Sequence, residues 1–170
     1  MVPARVTAYI GIGSNLGEPA RQIARVFTEL AALPESTLHA QSPLYKSRPL
    51  GPQDQPDFVN AVAALETGLA PLDLLRELQT LEVRHGRPRE HRRHWGPRSL
   101  DLDMLLYDAL CMQTTELTLP HPGLHQRSFV LWPLADVAPD LVIPEHGPVR
   151  VLRDACSEPP IERYREPAGG

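Results

Sequence analysis

In Arg98-Ser-Leu-Asp-Leu-Asp-Met-Leu-Leu-Tyr107, Ser99, Asp101 and Asp103 alternate with Leu100, Leu102 and Met104. A period of two predicts a strand with the aliphatics on one face and the acids on the other. Two carboxylates on one pleated face stand roughly 7 Å apart and repel each other unless positive charge lies between them. Mg²⁺ answers that need, since it takes oxygen ligands and is typically held by one or two carboxylates plus the phosphates of a substrate. A bare Asp-x-Asp also suits a solvated strand face. The run before it adds information, because six of the seventeen Lys and Arg residues fall there: Arg84, Arg87, Arg89, Arg92, Arg93 and Arg98. A cation-rich loop leading into paired carboxylates points to a site for Mg-polyphosphate.

The 170 residues give one domain's worth of length, enough for a sizeable core. The net charge of −4 argues against a general binder of nucleic acid or membrane surface, so any basic site is local. Cys111 and Cys156 show no metal or redox spacing, and the apolar run Val6 to Ile12 has no basic flank or cleavage pattern. A reduced, cytoplasmic protein without a spanning segment is expected.

Working outward from the acidic strand, Val6 to Ile12 reads as a first strand with Val6, Ala8, Ile10 and Ile12 on its buried side. Gly13-Ser-Asn-Leu-Gly17 turns the chain, and Pro19 opens a helix to about Leu33 with Ile23, Val26, Phe27 and Leu30 on one face. A dinucleotide fingerprint would need Gly at Leu16, and no Gly-Lys-Ser/Thr follows, so both phosphate-loop readings fail. Thr37 to Lys46 suggests a second strand, then the proline-rich loop Ser47 to Pro56, then a third strand from Phe58 to Thr67 with Phe58, Asn60, Val62 and Ala64 on one face. A helix starts at Pro71, with Leu74, Leu75, Leu78 and Leu81 as its stripe and Gly86 as its C-terminal cap. Glu82, in its last turn, is disfavoured by the helix dipole and is expected to answer to the arginine cluster. After the acidic strand come a short strand at Glu116 to Leu119, the rigid loop Pro120 to His125 and a helix from Gln126 to Leu134, and past Leu141 to Ile143 the periodicity is lost. The order strand, helix, strand, strand, helix, strand is that of an α+β, ferredoxin-like antiparallel sheet with its helices packed on one face. Loops 47–56, 84–98 and 120–125 would meet on the open side. Residues 1–152 form the domain and 153–170 a frayed tail.

Several side chains suit a phosphate and ring site. Arg89, Arg98 and Arg127 offer planar guanidinium groups for paired oxygens, His121 is a candidate acid or phosphate donor, Trp95 can stack on a flat ring, and Asn60 can pair with an amide-like edge. Each has an ordinary alternative: a solvated arginine, a surface histidine, a lid anchor, or an Asn fastening a loop.

The combination resembles a known family. Ser47 to Asn60 (SRPLGPQDQPDFVN) and Trp95 to Asp103 (WGPRSLDLD) are similar to the signatures of the 6-hydroxymethyl-7,8-dihydropterin pyrophosphokinases of folate biosynthesis. Gly13 to Gly17, Pro120-His-Pro122 and Arg127 to Leu134 fall in register with them, and the likeness covers roughly residues 6–145. The resemblance implies a ferredoxin-like fold, ATP and two Mg²⁺ ions, and transfer of a diphosphoryl group to the pterin hydroxymethyl, releasing AMP. It makes Asp101 and Asp103 the metal ligands, and Arg87, Arg98, Asp101 and Asp103 the catalytic set. Ser47, Leu50, Phe58, Asn60, Trp95 and Phe129 match pterin-site positions, and Glu82, Arg89, Trp95, Arg98, Met104, Thr118, His121 and Arg127 match ATP-site positions. The partners implied are small molecules rather than nucleic acid or membrane, and a monomer is expected. The chain departs from the pattern at Glu90 and His94, where relatives carry basic residues, and its Arg89 to Trp95 segment is one residue longer, leaving Arg92 and Arg93 unaligned. An Arg/Trp nucleic-acid module and a metal-dependent phosphohydrolase are the alternative functions at this stage.

Overall fold

The alternating segment becomes strand β5 (Asp101–Tyr107). In a computed structural model, which describes residues 4–15, 17–48, 57–86, 100–158 and 161–165, β5 forms one edge of a six-stranded sheet. Its neighbour β1 (Val6–Ser14) pairs antiparallel with β5 on one side and with β4 (Phe58–Thr67) on the other. Beyond β4, two short strands share its outer edge: β2 (Ser36–Gln41) and β3 (Tyr45–Ser47). The sequence suggests one strand over 37–46; the break falls at Ser42-Pro-Leu44, where Pro43 has no N–H for the ladder. Ser42 keeps the edge satisfied, its N–H donating to the Val62 carbonyl and its Oγ accepting from the Val62 N–H, each at 2.9 Å.

Helix α1 (Pro19–Ala31) connects β1 to β2, and α2 (Pro71–Arg84) connects β4 to β5, which completes the expected ferredoxin-like order. Both start with Pro in the first turn, where its missing N–H costs nothing. Past α2, Gly86 takes a positive φ of 92° that suits glycine after a helix end. The two helices bury Ile23, Val26, Leu30, Leu74, Leu78 and Leu81 against Ala8, Ile10, Ile12, Leu65, Leu102 and Met104. Each large aliphatic fully buried there contributes about 1.5–3 kcal/mol.

Among the described residues, the opposite face of the sheet is covered at one end only. There α3 (Ser128–Val137) and α4 (Val149–Ala155) close a second core on Val62, Leu105 and Leu106. The pairing of β1 with β5 shifts register between Tyr9 and Ile10, which leaves Leu105 without a partner in β1. This bulge sends both Leu105 and Leu106 into the second core, while Asp101 and Asp103 keep strict alternation at the uncovered end. α3 begins and ends later than the helix expected from Gln126 to Leu134, because residues Leu124–Gln126 form a separate 3-10 turn. Short pairs β6 (Met112–Gln113) with β7 (Thr118–Leu119), and β8 (Val142–Ile143) with β9 (Gly147–Pro148), fill the connections. The segment expected to fray from 153 onward behaves differently where it is described: α4 runs to Ala155, and β10 (Glu162–Arg163) pairs with the outer edge of β3. Short-range periodicity misses β10 because its partner lies more than a hundred residues away. Among the described residues no helix is long and apolar enough to cross a membrane.

His125, in the 3-10 turn, stacks on His146 of the β8–β9 turn with ring centroids 3.8 Å apart and planes 11° from parallel. Burial, with a contribution from His146, lowers the His125 pKa from its ordinary 6.5. The unfolded chain therefore takes up this proton first. The stability it contributes is complete above about pH 6.5 and is lost as the pH falls through the lower folded value. The melting temperature should drop between about pH 7.5 and about pH 5.5, and the drop should be smaller in His125→Gln. Equal drops in the two proteins would show that the stack does not titrate this way.

Candidate active site

Two cross-strand rows lay out the uncovered end of the sheet. Gly13 of β1 lies opposite Asn60 on β4 and Asp101 on β5, and Gly11 lies opposite Val62 and Asp103. The central strand therefore has no side chains at these two rows on the uncovered face. With strands about 4.8 Å apart, the Asn60 and Asp101 backbones stand roughly 10 Å apart across a glycine floor. The floor is tight, since a Cβ on Gly13 would meet Asn60 Oδ1 at 3.3 Å, and one on Gly11 would meet the Leu105 side chain at 3.3 Å. Strand glycines of this kind mark close approach of a ligand or another chain.

A concave pocket open to solvent stands over this floor, the form usual for a small-molecule site. Phe58 and Asn60 of β4, Ser47 of β3 and Phe129 of α3 form one side, and Asp101 and Asp103 the other. Asn60 is buried, and its Nδ2 donates to Ser47 Oγ at 2.6 Å, so it does fasten a neighbouring strand as well as facing the pocket. Arg127 lies beyond Phe129, with its guanidinium carbon 5.7 Å from the ring centroid.

The acidic pair is held from the outer edge of β5. Glu82, 8% exposed, accepts the Leu102 N–H on Oε2 at 2.9 Å, which fixes the backbone between Asp101 and Asp103. A buried hydrogen bond to a charged acceptor contributes about 1.5–3 kcal/mol. This offsets the helix-dipole cost of an acid in the last turn of α2. The end of α2 is tied in turn to the end of β1. Ser14 Oγ donates to Gln22 Oε1 at 2.8 Å, Gln22 Nε2 lies 3.0 Å from His85 Nδ1, and His85 Nε2 lies 2.6 Å from Glu29 Oε1. Because the Gln22 oxygen already accepts from Ser14, its amide donates to His85 Nδ1 and the proton on His85 Nε2 points to Glu29.

His121 follows the cis Leu119-Pro120 bond, and its N–H donates to the Leu105 carbonyl at 2.9 Å. Burial and then the Arg127 charge lower its pKa from 6.5, with Asp101 opposing them, so the imidazole is neutral at pH 7. Its Nδ1 is buried without a hydrogen-bond partner among the described residues. An orphaned buried nitrogen beside an arginine and a carboxylate suits a polar ligand.

The structure thus brings together Asp101, Asp103, Ser47, Phe58, Asn60 and Phe129 around one pocket, with His121 and Arg127 beside it. Met104 differs: its side chain is buried in the core beneath α1 and α2, so any contact it makes with a ligand falls to its backbone. Thr118 lies on β7, next to β5. Leu50, Arg87, Arg89, Trp95 and Arg98 lie outside the described residues. In the sequence Gly13 reads as the start of a turn; the i, i+2 spacing of Gly11 and Gly13 within a strand is the available signal for a floor. Nothing local marked Arg48 or Val130, which also line the pocket.

The chain is similar to known proteins in sequence and in fold. Residues 9–139 match the family model for 7,8-dihydro-6-hydroxymethylpterin-pyrophosphokinase (HPPK). The 2-amino-4-hydroxy-6-hydroxymethyldihydropteridine pyrophosphokinase of Pseudomonas aeruginosa is 52% identical over 155 residues, covering 91% of this chain and 94% of its own. The Haemophilus influenzae protein of the same name is 51% identical over 139 residues, covering 82% of this chain and 86% of its own. In fold, the chain is similar to the crystal structure of wild-type Plasmodium falciparum HPPK-DHPS, with a TM-score of 0.69 at 12% identity; the match covers 90% of this chain and 45% of that longer one. With a family match over most of its length and half its residues shared with a relative of nearly equal extent, the chain belongs to the 7,8-dihydro-6-hydroxymethylpterin-pyrophosphokinase family.

Proposed function

We propose that this chain transfers the diphosphoryl group of ATP to the hydroxymethyl group of 6-hydroxymethyl-7,8-dihydropterin, releasing AMP, as a step of folate biosynthesis. The observation that carries the reading is the cross-strand row Asn60, Gly13, Asp101, which sets an amide and a carboxylate on opposite sides of a side-chain-free floor. A flat pterin fits that floor, with Phe58 and Phe129 against its faces, Asn60 and Ser47 at its amide edge, and its hydroxymethyl group directed towards the acidic pair. Leu50 and Trp95 join the pterin set by their sequence match.

The donor set suits Mg²⁺. Two carboxylates converge here, and among the described residues no group of three His, Cys, Asp or Glu side chains stands ready to chelate a metal. A cation held by Asp101 and Asp103 must complete its shell with water and substrate oxygens, which is the habit of Mg²⁺ with polyphosphates. Two such ions, when bound, would neutralise phosphate charge and favour ionisation of the pterin hydroxyl. The rest of the task is positioning. Glu82 keeps the Asp101–Asp103 backbone in place. Arg127 supplies fixed positive charge for the phosphates, and neutral His121 supplies a hydrogen-bonding nitrogen without adding charge. Arg87, Arg89 and Arg98, with Thr118 and the Met104 backbone, complete the nucleotide side by their sequence match. A monomer in the cytoplasm completes the reading, and the two unpaired cysteines suit a reducing compartment.

With ATP, Mg²⁺ and the reduced pterin, AMP should form only when the pterin is present. AMP or ADP released equally without it would instead indicate a phosphohydrolase. Asp101→Asn and Asp103→Asn should each lower kcat on the order of 100-fold or more at saturating Mg²⁺, with the melting temperature little changed. Undiminished turnover in either variant would remove that carboxylate from the chemistry. Stripping divalent ions with a chelator should abolish AMP formation, and added Mg²⁺ should restore it. Activity that persists through chelation would rule out the metal.

A further inference from the structure

β3 is the weakest wall of the pocket. It is three residues long, pairs with β4 only at Tyr45↔Asn60, Lys46↔Val59 and Ser47↔Phe58, and ends on the residue that holds Asn60. So short a strand is marginal when one edge alone is paired. Its other edge is taken by β10, with Glu162 opposite Lys46 and Arg163 opposite Tyr45, and the Tyr164 N–H donates to the Leu44 carbonyl at 2.9 Å. The Tyr164 side chain packs against the main core, which anchors the far end of this short strand.

Tyr45 links that edge to the second wall. Its ring is 3% exposed, and its hydroxyl donates to the Asp136 carboxylate on α3, the helix that carries Phe129. From β10, the Arg163 guanidinium lies 5.7 Å from the centre of the Tyr45 ring. The wall bearing Ser47 and the wall bearing Phe129 therefore meet at Tyr45 and Asp136, and β10 presses on that joint from outside. Arg163 itself is exposed, and exposed ion pairs contribute little, so strand pairing carries more of the effect than its charge.

We propose that the C-terminal strand β10 is a positioning element for the pterin half of the active site, acting through Leu44, Tyr45 and Asp136 on Ser47, Asn60 and Phe129. This rests on the assignment of the pocket to the pterin. In the sheet order β10-β3-β4-β1-β5, the acidic pair sits on the far edge, three strands beyond β3. Loosening β10 should therefore disturb one substrate and spare the other. A purely structural strand would not discriminate between them.

The test uses full-length variants and measures equilibrium binding of 6-hydroxymethylpterin and of a non-hydrolysable ATP analogue with Mg²⁺. Tyr164→Pro removes the N–H given to Leu44 and breaks the strand; Arg163→Ala and Tyr45→Phe each remove one link at the joint. Tyr164→Pro should weaken pterin binding about tenfold and the others about threefold, with the ATP analogue held within about twofold throughout. Asn60→Ala is the reference for the pocket assignment. Pterin affinity unchanged in the β10 variants but lost in Asn60→Ala overturns the positioning role. Parallel loss of both ligands with a fallen melting temperature also overturns it, because the strand would then serve only stability. Pterin affinity unchanged in Asn60→Ala overturns the pocket assignment and the proposal with it. If Tyr164→Pro does not fold, Arg163→Ala and Tyr45→Phe decide the question by the same split between ligands.

Discussion

Antiparallel pairing of β1 with β4 on one side and β5 on the other is the constraint on which the rest depends. It puts Asn60, a glycine and Asp101 in one row and Val62, a glycine and Asp103 in the next, so two strand spacings set the separation between the amide and the carboxylates. A slip of one residue on either side would turn the amide or the carboxylates into the core beneath α1 and α2. Burial of Ala8, Ile10 and Ile12 on the reverse of the same strand resists that slip, so the aliphatic core and the polar site are two faces of one register.

Around that register the molecule divides its tasks by edge. The β5 edge, held by Glu82 and by the link from β1 through Gln22 and His85 to α1, carries the charge. The β3 edge, held by β10 and by α3 through Asp136, carries the shape. Neither edge strand is supported by a full ladder on both sides. Each relies on side-chain acceptors or a two-residue strand for backbone groups that would otherwise be left unpaired.

Much of this was legible in the sequence. Alternation at 100–104 and 58–65 named the faces correctly, because each strand has one face against a helix-covered core, and that is the condition under which period two is written into residue type. The acidic pair and Asn60 could be singled out for the same reason: a polar residue at a position whose neighbours are strictly apolar stands out. What could not be read was anything set by partners distant in sequence. The division of the second strand at Ser42 needs Val62, and β10 needs β3. The second core needs α3 to lie across a face that a four-strand outline leaves open. Met104 was read with its neighbours as part of a site, although its own alternation already sent its side chain inward. The glycine floor was visible as two letters and lacked only the knowledge of what stood beside them.

The unmatched residue at Leu105 has a consequence for how this strand can vary. It acts as a parity switch: upstream, odd-numbered positions face the site, and at Leu106 the assignment inverts so that two successive leucines enter the same core. Because β1 pairs Ile10 with Met104 and Tyr9 with Leu106, loss of the one residue between them would leave the carboxylates, Leu106 and Tyr107 on their present faces and would take one leucine from the second core. Leu105 is thus a supernumerary residue that the edge strand accommodates, adding bulk to the second core without moving the two acids before it.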